Sequence, residues 1–72
     1  MNIDEVIAKM PMKEDCVFIR SQLSRFPEKS KHNIFKGYLD EWRIGKEKEP
    51  VIYKKENAGR YRANIWIQEQ ED

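Results

Sequence analysis

The sequence predicts a mainly α fold, a small compact bundle of three to four helices. Three observations carry that expectation. Apolar residues recur at spacings of three and four through most of the chain, the signature of one buried face on a helix. Prolines at 11, 27 and 50 fall between the periodic segments, where helices end or begin. Of the 72 residues, 39% are apolar and 38% charged, yet the net charge is only +1. Disordered chains pair low hydrophobicity with high net charge, and the second feature is missing.

The first helix is expected over 3–10. Ile3, Val6, Ile7 and Met10 form its stripe, Asn2 is placed to cap it, and Asp4 and Glu5 occupy the turn where the helix dipole favours acids. Pro11 should stop it. The second is expected over 14–25, with Cys16, Ile19, Leu23 and Phe26 on one side, Val17 and Phe18 widening that side, and Pro27 as the terminator.

The third is expected over 28–44. Pro27 suits the start of a helix, because it has no N–H to leave unpaired. Ile34, Phe35, Tyr38, Leu39 and Trp42 give the most regular stripe in the chain, Gly37 lies inside it, and Gly45 reads as the C-terminal stop. Gly45 to Pro50 then reads as a charged connector.

After Pro50 two structures compete. Tyr61, Ala63, Ile65 and Ile67 alternate with polar residues, and Asn57-Ala58-Gly59 resembles a turn, so a β-hairpin would give a winged-helix-like domain. The other structure is a fourth helix over 56–69. Asn57 would cap it, and Ala58, Tyr61, Ile65 and Trp66 would form its buried face. Either way the chain is expected to be one domain, 1–72, with Trp42, Phe35, Leu39, Leu23, Ile19 and Phe18 central to its core. A chain this short buries only about 60% of the surface it exposes unfolded. It has one cysteine, so no internal disulfide can help it.

Few residues suggest chemistry. His32 lies in a polar first turn and is expected to be exposed. Cys16 lies on an apolar stripe and is expected in the core. Acidic pairs such as Asp40-Glu41 point in different directions on a helix. No Gly-rich phosphate loop and no Ser/His/Asp spacing is present. The expectation is a non-enzymatic binding module without a metal or cofactor. The acidic start Met1-Asn2-Ile3-Asp4-Glu5 is unlike a signal peptide, and no apolar run reaches a membrane-spanning length, so a cytoplasmic location is expected.

A basic and aromatic cluster points to nucleic acid. Lys54, Lys55, Arg60 and Arg62 lie close in sequence to Tyr53, Tyr61 and Trp66, and Lys29, Lys31 and Lys36 mark one stretch of the third helix with His32 and Asn33. Lysine and arginine could neutralise phosphates, Asn64 could read a base edge, and the aromatics could stack on bases. The near-neutral charge points instead to a protein partner, an inhibitor or adaptor anchored by aromatic side chains. A homodimer is compatible with both. The acidic end, Glu69-Gln70-Glu71-Asp72, disfavours DNA there and suits a basic protein surface.

Asn57 to Ile67 also resembles the Asn-x-x-Arg-x-x-Ala-Asn-x-Trp-Leu segment of phage and prophage DNA-replication proteins. Arg60, Ala63, Asn64 and Trp66 match. Tyr61 and Arg62 are bulkier departures, and Ile67 replaces leucine. The catalytic tyrosine and paired metal-binding histidines of a replication endonuclease have no counterparts here. The resemblance therefore implies an accessory protein associated with nucleic acid, without the endonuclease activity. It also implies a helical segment, which favours the fourth helix over the hairpin.

Overall fold

A computed structural model describes residues 3–10 and 13–71. The order is α1 (Ile3–Ala8), α2 (Lys13–Leu23), α3 (Glu28–Lys48), a single 3-10 turn (Ile52–Lys54) and α4 (Lys55–Glu69). No strand occurs among the described residues, so the hairpin alternative is set aside. The fold is mainly α. By its contacts the chain divides into two compact units, one reaching to Phe35 and one spanning Lys36–Glu71.

In the first unit, α1 is shorter than its apolar stripe. Its end tightens into a turn, with Lys9 N–H donating to Val6 O and Met10 N–H to Ile7 O. The expected cap at Asn2 and stop at Pro11 lie outside the described residues. Cys16 Sγ on α2 donates to Ile7 O at 3.0 Å, a second donor to the carbonyl that Met10 N–H already reaches. Ile7, Ile19, Leu23, Phe26 and Phe35 are buried, whereas Phe18 is only half-buried.

The α2 helix stops at Leu23, two residues before the expected boundary. Side chains compete for its last carbonyls: Ser24 Oγ donates to Ser21 O at 2.6 Å, and Arg25 Nε approaches Gln22 O at 3.5 Å. Pro27 lies just before α3, where its carbonyl accepts from Ser30 and Lys31 N–H.

In the second unit the remainder of α3 runs antiparallel to α4. The pairing is fixed by named contacts. Tyr38 OH donates to Asn64 Oδ1 at 2.9 Å, Arg62 Nε donates to Glu41 Oε2 at 2.6 Å, and Lys46 Nζ lies 2.7 Å from Glu56 Oε1. Tyr38 and Trp42 meet edge to face, with ring centroids 5.8 Å apart. Both are buried with Ala63 and Ile67, while Leu39 is half-buried.

Gly45 does not stop α3, which continues to Lys48. The glycine serves close approach instead. A β-carbon at Gly45 would stand 2.8 Å from Ala58 O and 2.9 Å from Gly59 Cα. The connector is correspondingly shorter than expected. Pro50 blocks further helix, and Lys55 Nζ reaches back to donate to Lys46 O and Glu49 O at 3.0 and 2.6 Å. A lysine so placed adds a charged donor to carbonyls at the end of α3, where Lys46 O has only a long 3.3 Å bond from Glu49 N–H.

Two further expectations for α4 are corrected. Asn57 is not its cap: the helix begins at Lys55, and Lys54 before it makes no side-chain cap. None is needed, because the 3-10 turn runs straight into α4 and Lys55 N–H already donates to Ile52 O. The buried face is also different. Gly59, Ala63 and Ile67, spaced by four, are buried, while Tyr61 is 71% and Ile65 39% exposed. At Gly59 only a glycine fits, because Trp42 of α3 passes too close for a larger side chain. At its far end, Gln70 Nε2 donates to Trp66 O at 3.0 Å and closes the helix.

Candidate docking surface on the outer face of the fourth helix

Gly45 and Ala58 are small and stand opposite one another where α3 and α4 cross. They leave a low floor between the longer side chains around them. The result is an open groove of about 400 Å3, walled by Tyr61 and Ile65 on α4 and by Lys48 near the end of α3. Arg62 also borders it, but its guanidinium is held by Glu41. The groove is thus apolar at its floor and along the α4 wall, with charge at its rim. Beyond the start of α4, Ile52 and Tyr53 are also strongly exposed.

The five residues nominated for nucleic acid are dispersed. Lys55 is held by two carbonyls of α3, Arg62 by Glu41 and Asn64 by the Tyr38 hydroxyl. Arg60 is half-buried, with Nη1 3.5 Å from Asn57 Oδ1. It projects roughly 200° around the helix axis from Arg62. Lys54 is exposed. The structure therefore does not bring these five onto one face.

One carboxyl near the start of α4 is displaced from its ordinary pKa. The Lys46 ammonium hydrogen-bonds Glu56 and holds its carboxyl below the ordinary value; partial burial opposes this, and the nearby positive charge and a long contact from Trp42 Nε1 add to it. These groups join α4 to α3, and they explain adhesion rather than reactivity.

In the first unit, Lys13, Glu14, Val17 and Phe18 border a second open depression of about 430 Å3. Its single strongly exposed apolar side chain is Val17. His32 is exposed, and Cys16 is half-buried with its thiol turned to Ile7 O. No group of three or more potential metal ligands occurs among the described residues, and no helix among them is long and apolar enough to cross a membrane.

The exposure of Tyr61 and Ile65 was not legible from the strand-like alternation or from the first assignment of the helix face. The available signal was the coexistence of two apolar series on one segment: Gly59, Ala63 and Ile67 form one, and Ala58, Tyr61 and Ile65 the other. A helix presenting both has a face left over after one is buried. Comparison with known protein families, with curated proteins and with solved structures finds no match to this chain.

Proposed function

We propose that the chain is a non-enzymatic protein-binding module, of adaptor or inhibitor type, acting through the outer face of α4. One observation carries this: Tyr61 and Ile65 stand exposed beside a groove floored by Gly45 and Ala58, on a helix whose other face is already occupied. Aromatic side chains next to a cavity are the usual anchors of protein interfaces. An unpaired thiol fits action in the reducing cytoplasm.

A second function, association with nucleic acid, is favoured by Tyr53 beside Lys54. Tyr53 is 82% exposed and Lys54 is exposed with it, so one could stack on a base while the other meets a phosphate. The resemblance of the α4 segment to phage replication proteins supports the same association. The weight goes to protein binding because Lys55, Arg62 and Asn64 already serve the helix pair.

A photo-crosslinking amino acid placed at Tyr61 tests the choice in cells. Capture of a defined protein species, abolished by Ile65→Asp and not reproduced from exposed Arg43, is expected. Capture of nucleic acid alone would overturn the protein-binding function and favour the second.

A further inference from the structure

We propose, resting on the protein-binding role above, that the partner of the outer α4 face is a second copy of this chain, docked antiparallel about a two-fold axis. Lys54, Ala58, Tyr61, Ile65 and Gln68 follow one another at spacings of four, three, four and three. That is the seam of a two-helix contact, in which such positions interlock with those of a facing helix. All five point away from the buried Gly59–Ala63–Ile67 stripe, and all but half-buried Ala58 are exposed.

The charges on this helix identify the occupant. Lys54 and Lys55 stand at its N-terminal end, where the one acid of the first turn, Glu56, is already paired with Lys46, and Glu69 and Glu71 stand at its C-terminal end. These lysines and these glutamates each face the wrong end of the helix dipole, which favours acids at the start and bases at the finish. Its own α3 relieves only Lys55. An antiparallel copy of α4 brings the Lys54 end of each chain to the Glu69 end of the other, and the two-fold axis makes the attraction twice. A parallel copy would instead set Lys54 against Lys54. With the axis near Ala63, Tyr61 of one chain lies across from Ile65 of the other, at the groove wall. The seam is also short of other support: a chain of this size has little core, and no disulfide staples it.

Sedimentation equilibrium of the full chain is the test, run up to about 1 mM so that weak association is seen. A dimer is expected. Tyr61→Asp should weaken it about tenfold or more, because an anchor of the seam becomes a charge. The variant stays folded, since Tyr61 supports no core, and circular dichroism checks that. Lys54→Glu alone and Glu69→Lys alone should each weaken the dimer, and the two together should restore it. A wild-type chain that stays monomeric overturns the second-copy proposal. If the Tyr61 crosslinker then captures a different protein, the protein-binding function survives it; if it captures none, both fall. A dimer indifferent to Tyr61→Asp lies on another surface and also overturns it. Failure of the double charge swap to restore association overturns the antiparallel arrangement.

Discussion

Trp42 lies against Gly59 so closely that a β-carbon on the glycine would stand 2.7 Å from the Trp42 carbonyl oxygen. The relationship is repeated in reverse at the other end of the pair, where the Trp66 ring covers Gly37 on α3. Each helix thus offers a glycine to a tryptophan of the other. Two bulky indoles are accommodated between helices that otherwise touch backbone to backbone at Gly45 and Gly59.

Gly59→Ala should therefore destabilise the protein. Alanine is the better helix former by about 1 kcal/mol, so an open site would gain stability. Here the added methyl meets the buried Trp42 indole and the Trp42 carbonyl oxygen, a backbone atom that cannot rotate away, and overpacking of this kind costs about 1–3 kcal/mol. Urea denaturation gives the sign directly. A more stable variant would show that the helices separate easily and that the close approach matters little.

Tyr61→Ser and Trp42→Ala should differ sharply. Trp42 is buried, and its truncation should cost about 3–5 kcal/mol, enough to unfold a domain of this size. Tyr61 is largely exposed, and its loss should change monomer stability by no more than about 0.5 kcal/mol. Thermal melts of the two variants, under conditions where the chain is monomeric, make the comparison. Equal destabilisation would return Tyr61 to the core.

Lys55→Met should loosen the end of α3. It keeps the apolar stem but removes the ammonium from the carbonyls of Lys46 and Glu49. A charge-assisted bond to partly buried carbonyls suggests a loss of about 1–2 kcal/mol. Amide hydrogen exchange should quicken over residues 46–49 more than elsewhere. Unchanged protection there would mean that water replaces the lysine without penalty.

Glu56 gives stability a defined acid dependence. Its folded pKa is lowered, chiefly by the hydrogen bond from Lys46, so its unfolded form binds a proton more readily than its folded form. The contribution is fully present above the ordinary carboxyl value of about 4.5 and is lost as pH falls through the lowered folded value. Both side chains are substantially exposed, so the effect belongs to the range of about 0–1 kcal/mol. Glu56→Gln should flatten the stability profile as pH falls below the ordinary carboxyl value of about 4.5. An equally steep profile in the variant would assign the acid loss to other carboxylates.

The helices were legible because their apolar spacings are regular and prolines divide them. Ile19, Leu23, Phe35 and Trp42 are buried as their stripes require. The errors cluster around glycine and on α4. Gly45 has the sequence look of a C-terminal stop, but the same residue also admits a crossing helix, and only the partner segment decides between the two uses. On α4, hydrophobicity alone assigned Tyr61 and Ile65 to the inside. Size decides at Gly59, where Trp42 of α3 comes too close for a larger side chain. The candidate cluster Lys54, Lys55, Arg60, Arg62 and Asn64 was visible as composition, but its dispersal around a helix is a matter of phase and of the acids and carbonyls that α3 supplies.

The most direct test is a two-dimensional amide NMR series on the wild-type chain as its concentration is raised. If the outer face of α4 meets a second copy, signals of Ala58, Tyr61, Ile65 and Gln68 should move together along one binding curve, while those of Val17 and Phe18 in the first unit stay fixed. Spectra that do not change with concentration, or changes centred on Val17 and Phe18, would contradict the assignment of that face as the self-docking surface.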